Sequence, residues 1–95
     1  MSTPEGKVKA KIKKVLKQYG VYQHWPVLNG MGSPTLDCNA CAAGYYITIE
    51  AKAEGEVPTP RQQITMAEAR QAGAFVFTVS NDAELAILEI GRAHV

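Results

Sequence analysis

Two acidic residues and one lysine could meet beside a single turn of this sequence. The stretch "YYITIEAKA", residues 45–53, begins as an alternating strand and ends with Glu50 and Lys52 two positions apart, on one face of the strand. If Ala43-Gly44 forms a two-residue hairpin turn, residues whose numbers sum to 87 face each other. Asp37 then lies directly opposite Glu50, with Lys52 beside them.

Facing carboxylates call for a positive partner. Two like charges directly opposite each other in a sheet are destabilising by up to about 1 kcal/mol. Lys52 could compensate alone, which would make this an exposed charged hairpin. A divalent cation such as Mg²⁺ would compensate better, because hard cations take carboxylate oxygens together with water and substrate phosphates. A shift of the pairing by one residue would separate the carboxylates, so both interpretations depend on the turn.

The first element that could position these residues is an N-terminal helix. Thr3-Pro4 is typical of a helix start, with Thr as the N-cap and Pro in the first helical position. Apolar residues then recur at helical spacing, and Gly20 is a typical helix stop. The predicted buried stripe consists of Val8, Ile12, Val15, Leu16 and Tyr19.

Three strands are predicted in the next part of the chain. Residues 21–27 predict a strand that ends at Pro26, at an edge of the sheet. Residues 29–35 combine two glycines with a proline and predict a turn. Residues 36–42 and 45–53 then form the two arms of the hairpin.

A second helix and a further strand complete the predicted fold. Thr59-Pro60 repeats the helix-start signal, Gln62 fits a capping box, and the helix runs to Gly73. Residues 74–79 predict a buried strand, after which Asn81-Asp82 opens a short apolar segment. The order α-β-β-β-α-β predicts an α/β fold in which helices flank a mixed sheet.

Length and composition allow one domain. The 95 residues, 46% hydrophobic and 20% charged, suffice for one core. We expect a cytoplasmic protein, because no apolar run approaches a membrane span and no secretory signal begins the sequence. We expect residues 1–89 to form the domain and residues 90–95 to be a non-native or truncated tail. This end adds no periodicity, and it matches the translation of a common sequencing adapter.

Positive charge is concentrated at the start of the chain. Residues 1–18 hold six lysines and one glutamate, whereas the remainder holds four basic and eight acidic residues. A basic segment of this kind is typical of proteins that bind a polyanion such as nucleic acid. The alternative is a solvated, lysine-rich helix face.

The two cysteines form one C-x-x-C, Cys38 to Cys41. A zinc site would need two further ligands, and the two histidines, His24 and His94, lack the spacing of partners. Strand positions three apart also point to opposite faces. We therefore expect two small buried thiols and assign no function to His94.

The ordered motifs resemble a nuclease family. "SPTLD", then "IEAKA", then "TPRQ", then a glycine eleven residues after Gln62, resemble the PD-(D/E)xK nuclease superfamily. They are more closely similar to the small stand-alone VRR-NUC domains of phages and bacteria, which begin with a helix like residues 3–20. The resemblance covers roughly residues 3–80 and implies a small restriction-endonuclease-like core. One departure is that Thr35 and Leu36 separate the proline from Asp37.

The resemblance implies roles for individual residues. Asp37 and Glu50 match the acidic residues that hold Mg²⁺ or Mn²⁺, and Ala51 would add its backbone carbonyl. Lys52 matches the catalytic lysine, and Gln62 matches the helix glutamine that completes the site. The first-helix acid that often assists corresponds to Glu5.

The implied function is a metal-dependent, structure-selective DNA endonuclease. The resemblance suggests phage or bacterial replication, recombination or repair, and a homodimer that cuts both strands of a branched substrate such as a Holliday junction. Lys7, Lys11 and Lys14 become candidates for contacts with the DNA backbone. The alternatives are a non-cleaving DNA-binding module on the same fold, a restriction-type or single-strand nuclease, and a small α/β interaction protein.

Overall fold

Helices pack on both faces of a four-stranded sheet. The structure, a computed structural model, describes residues 3–27 and 32–93. The strands are in the order β1-β2-β3-β4; β3 and β4 are parallel, and the other neighbours are antiparallel. The predicted α/β fold with a mixed sheet is therefore confirmed. The elements are α1 Pro4–Gln18, β1 Tyr22–His24, β2 Cys38–Ala42, β3 Tyr45–Ala51, α2 Pro60–Gln71, β4 Phe75–Val79 and α3 Asp82–Ala93.

The turn between β2 and β3 has the predicted geometry. Ala43 and Gly44 both have positive φ angles, 52° and 84°, as a two-residue type I′ turn requires. The ladder runs from Ala42 opposite Tyr45 to Cys38 opposite Ile49. This is the predicted register.

Local signals set both ends of α1. The Thr3 hydroxyl accepts a hydrogen bond from the Gly6 N–H at 3.0 Å, and the chain leaves the helix through Gly20 at a φ of 66°. Ile12, Val15 and Leu16 are buried as predicted. Tyr19 is 41% exposed, so its predicted place in the buried stripe is wrong. It is the C-cap residue, where the backbone has left helical geometry and helical spacing no longer sets the direction of the side chain.

The core lies between one face of the sheet, α1 and α3. The buried side of β2 and β3 carries Cys38, Ala40, Ile47, Ile49 and Ala51. Ile12 and Leu16 from α1 and Leu85 and Leu88 from α3 pack on this face. Helix α2 packs on β4 and covers part of the opposite face, which carries the side chains of Thr48 and Glu50.

Strand β4 is less buried than predicted. Phe75 is 43% exposed, and Val79 alone among the five residues of the strand is fully buried. The reason is topological, since β4 pairs with β3 and lies at the sheet edge opposite β1. Phe75 still contacts Tyr45 edge to face, at 5.5 Å between ring centroids.

The segment after β4 is a helix. Asn81 Oδ1 accepts a hydrogen bond from the Glu84 N–H at 2.9 Å, which is typical of an N-cap. The prediction of a short apolar segment therefore missed α3, whose backbone continues to Ala93 and includes part of the expected tail. None of the described helices is long and apolar enough to span a bilayer. Residues 29–31 of the predicted turn lie outside the described residues, as do residues 1–2, 28 and 94–95.

Candidate active site

Asp37 continues the β2–β3 pairing through its side chain. The ladder ends at Cys38 opposite Ile49, and the next β3 amide that faces β2, that of Ala51, donates to Asp37 Oδ2 at 2.9 Å. The N–H and C=O of one strand residue point to the same side, so the Ala51 carbonyl also faces Asp37. This hydrogen bond ties the Asp37 carboxyl to the end of β3.

Glu50 and Lys52 follow each other along one face of the end of β3. Both are buried, at 2% and 7% exposure, and Lys52 Nζ lies 3.6 Å from Glu50 Oε2. The Lys52 N–H donates to the Val79 carbonyl at 3.0 Å, which extends the pairing with β4 past Ala51. The alternative of an exposed charged hairpin is wrong, because Asp37, at 6% exposure, is buried as well.

Gln62 connects the start of α2 to Glu50. Its N–H donates to Thr59 Oγ1 at 3.2 Å, and its Oε1 accepts from the Thr59 N–H at 2.9 Å. These two bonds form the predicted capping box. Its Nε2 donates to Glu50 Oε2 at 2.8 Å. One side chain thus caps the helix and holds the buried carboxyl group.

The environment of Glu50 shifts its ionisation. Burial first, and the charge of Asp37 second, raise the pKa of Glu50 to about 7, while the charge of Lys52 opposes this shift. A nearby divalent cation would favour the ionised form. The charges of Glu50 and Asp37 therefore fit a site that binds a cation.

The available donor atoms suit a hard cation. The candidate ligands are the carboxylates of Asp37 and Glu50 and the carbonyl of Ala51, all oxygens. The described residues contain no cluster of three or more His, Cys, Asp or Glu side chains that could hold a metal ion. Mg²⁺ needs no such cluster, because it is commonly held by one or two carboxylates with water and substrate phosphates. The arrangement therefore fits Mg²⁺ or Mn²⁺ better than zinc.

Lys9 joins Glu5 to this cluster. Lys9 Nζ lies 3.5 Å from Glu5 Oε2 and 3.6 Å from Asp37 Oδ1. Lys9 thus bridges Glu5, the predicted first-helix acid, and Asp37. Lys9 was not among the predicted site residues. Its position one helical turn after Glu5 was the signal that could have identified it.

The lysines predicted to contact DNA lie elsewhere on α1. Lys7 and Lys11 line a cavity of about 230 Å³ between α1 and the β4–α3 junction. Lys11 Nζ also lies 2.9 Å from Asp82 Oδ1, in an exposed pair. Lys14 is exposed. Contacts of these three lysines with DNA remain a prediction.

A chain of hydrogen bonds supports the segment that leads to Asp37. Thr48 Oγ1 donates to Asn39 Oδ1 at 3.0 Å, and Asn39 Nδ2 donates to Thr35 Oγ1 at 3.1 Å. These hydrogen bonds therefore anchor the residues before Asp37 to the middle of β3. Sequence reasoning missed it, because single polar residues in strands give no distinctive pattern.

The two cysteines lie on opposite sides of β2, as their spacing predicted. Cys38 is in the core, where burial raises the pKa of its thiol to about 11. Cys41 is exposed, so the prediction of two buried thiols is wrong for this residue. Its side chain points to the face opposite the core, where Tyr22 and Tyr46, its register partners, are exposed too.

The fold matches a solved structure described as a VRR-NUC domain. The two chains superpose with a TM-score of 0.78 and 25% sequence identity, over 93% of this chain and 97% of that chain. No protein-family model matches the sequence, and no curated protein matches it. The resemblance inferred from the motifs is therefore confirmed by the fold.

Proposed function

We propose that this chain, which has the fold of a VRR-NUC domain, is a metal-dependent endonuclease that hydrolyses phosphodiester bonds in structured DNA. The similarity to that domain supports a nuclease-type function. The observation that carries the proposal is the convergence of Asp37, Glu50 and Lys52 in one buried cluster. Burial of three charged side chains is costly and is typical of functional sites.

The metal would be held by Asp37, Glu50 and the Ala51 carbonyl. A divalent cation supplies two effects in such a site: it lowers the pKa of water and neutralises charge on the phosphate. The chain itself preorganises the ligands. The Ala51 N–H holds one oxygen of Asp37, and Gln62 holds one oxygen of Glu50.

Lys52 would act on the reacting atoms. In the hydrolysis, a water oxygen bonds to phosphorus and loses a proton to solvent, the bond from phosphorus to the leaving sugar oxygen breaks, and that oxygen takes up a proton from solvent. The ammonium group of Lys52, held near Glu50, can orient the water or offset the negative charge that develops on the phosphate. Gln62 positions Glu50 and places the N-terminal end of α2, with its partial positive charge, beside the cluster.

The setting and the form of the substrate are further parts of the proposal. The resemblance suggests a phage or bacterial protein that acts in replication, recombination or repair, and we propose the cytoplasm as its location. A homodimer would place two sites on a branched DNA. Lys7, Lys11 and Lys14 supply charge for contacts with the phosphate backbone, which would make binding sensitive to salt.

Cleavage assays on defined DNA substrates test this function. A four-way junction, a flap, a duplex and a single strand are incubated with the protein in Mg²⁺ or in EDTA. We expect cleavage in Mg²⁺ only, with a preference for branched DNA. Lys52→Met keeps the aliphatic stem but removes the charge, and should lower the rate at least about 100-fold. Lys17→Met, on the exposed end of α1, is the matched control and should cut like the wild type.

Other outcomes point to the alternatives. Binding of DNA without cleavage in Mg²⁺ or Mn²⁺ would favour the non-cleaving module. Preferential cutting of single strands or of unbranched duplex would favour the other nuclease classes. Equal rates for wild type and Lys52→Met would exclude the proposed mechanism.

A further inference from the structure

Lys9 places a positive charge directly beside a candidate metal ligand. Its Nζ lies 3.6 Å from Asp37 Oδ1 and 3.5 Å from Glu5 Oε2. The side chain is 31% exposed, whereas that of Asp37 is 7% exposed. The carboxyl group is therefore fixed in the protein, while the ammonium group reaches it from the solvent side.

The two oxygens of Asp37 have different partners. Oδ2 accepts the Ala51 N–H at 2.9 Å, in a buried hydrogen bond that closes the end of the hairpin. Oδ1 faces Lys9. Since Oδ2 is the oxygen that accepts the Ala51 N–H, Oδ1 is the more available ligand atom for a cation. Lys9 and the cation then compete for one oxygen, and two positive charges so close together repel each other.

We propose that Lys9 gives up Asp37 to the divalent cation and then binds a phosphate of the DNA. This inference rests on the proposed function and deepens it. Lys9 has the length and the exposure for such an exchange, and Glu5, one helical turn earlier, holds the ammonium group near the site. The position of α1 is fixed by Ile12 and Leu16 in the core, so the exchange needs only a side-chain movement.

The exchange couples the binding of metal to the binding of DNA. Without DNA, Lys9 weakens the affinity for the cation because it competes for Asp37 Oδ1. With DNA, a phosphate accepts the displaced ammonium group, so the competition falls. By linkage, the cation must then strengthen DNA binding by the same factor. Lys9 would thereby favour occupation of the site by metal when substrate is present.

The first experiment measures Mn²⁺ affinity without DNA, by electron paramagnetic resonance of free Mn²⁺. We expect Lys9→Gln to bind Mn²⁺ about 3- to 10-fold more tightly than the wild type, since a competing charge is removed. Lys9→Arg keeps the charge and should bind like the wild type. Lys17→Gln, an exposed lysine of the same helix, should change the affinity less than about twofold. Thermal unfolding confirms that each variant is folded.

The second experiment repeats the titration with a four-way junction present, in a Lys52→Met background in which cleavage should be slow. DNA should increase Mn²⁺ affinity with Lys9 in place, and this increase should fall at least about threefold in Lys9→Gln.

Unchanged or weaker Mn²⁺ binding by Lys9→Gln would overturn the role of Lys9. The proposed function would nevertheless stand if the wild type binds Mn²⁺ and cuts DNA. A wild type that binds no Mn²⁺ and cuts no DNA would overturn both.

Discussion

Gln62 Nε2 donates a hydrogen bond to Glu50 Oε2 at 2.8 Å, although the two residues lie on different elements. The same side chain accepts the Thr59 N–H at 2.9 Å. The capping interaction thus sets the orientation of the amide group that holds the buried carboxyl. The start of α2 and the candidate active site are one hydrogen-bonded unit.

Substitution of Gln62 by Glu should separate these two roles. A carboxylate still accepts the Thr59 N–H, so the start of α2 should persist. It cannot donate to Glu50, and it adds a like charge beside that residue. We expect cleavage to slow at least about 10-fold while the helix content is kept, as measured by single-turnover rates and far-ultraviolet circular dichroism.

Gln62→Ala and Gln63→Glu serve as comparisons for this variant. Gln62→Ala loses both interactions and should lower the free energy of unfolding by about 1 kcal/mol as well. Gln63 Nε2 donates to the Pro58 carbonyl in an exposed hydrogen bond, and Gln63→Glu should cut like the wild type. A fully active Gln62→Glu would show that donation to Glu50 is dispensable.

The stability of the protein should depend on the ionisation of Glu50. Burial first, and the charge of Asp37 second, raise the pKa of Glu50 from 4.5 to about 7. Between these values the folded state binds more protons than the unfolded state, so the contribution of Glu50 to stability falls as the pH rises. The full free-energy cost of ionising Glu50 in the folded protein, reached above pH 7, is on the order of 3 kcal/mol at most.

Urea unfolding in EDTA between pH 5 and pH 8 measures this effect. Glu50→Gln cannot ionise and should lose this part of the pH dependence, so it should be the more stable protein at pH 8. At pH 5 the two proteins should be closer in stability. If the free energies of unfolding of the two proteins changed with pH in parallel, the raised pKa of Glu50 would be contradicted.

Ala43 adopts a backbone conformation that an alanine does not favour. Its φ is 52°, in the first position of the turn between β2 and β3. Asparagine is the preferred residue before glycine in such turns. Ala43→Asn should raise the free energy of unfolding by about 0.5–1 kcal/mol, since the left-handed conformation costs alanine roughly 1–2 kcal/mol.

Activity should not change in Ala43→Asn, because the turn lies at the opposite end of the hairpin from Asp37. Gly44→Ala is the opposing variant and should be destabilised, since its φ is 84°. Urea unfolding and cleavage rates measure both. A destabilised Ala43→Asn would contradict the assigned turn type.

The two cysteines should differ in reactivity. Cys41 is exposed, whereas Cys38 is buried and its thiol has a pKa raised to about 11. Because the thiolate is the reactive form, iodoacetamide at pH 8 should label Cys41 in the folded protein and Cys38 only after unfolding. Mass spectrometry of the digested protein measures both sites. Equal labelling of the two cysteines in the folded protein would contradict the placement of β2.

Much of the candidate site could be predicted from the sequence, because its geometry begins with a short hairpin. The turn at Ala43-Gly44 and the alternation of side chains along two strands were enough to predict the register as far as Cys38 opposite Ile49, next to Asp37 and Glu50. The capping box of Gln62 was equally local, since it involves residues three positions apart. These features follow from backbone geometry over a few residues.

Contacts between distant elements were decided by the tertiary structure. The donation from Gln62 to Glu50 depends on how α2 packs, and the pairing of Lys9 with Asp37 depends on where α1 lies on the sheet. The exposure of Phe75 likewise reflects the place of β4 at an edge.

The sequence by itself determined the types of the candidate site residues, the register of the hairpin and the starts of the first two helices. Each of these depends on local backbone rules. The tertiary structure decided which charges are buried, which lysine reaches Asp37 and which cysteine is exposed. Those properties depend on which faces of the sheet the helices cover, and residues near one another in sequence do not encode that alone.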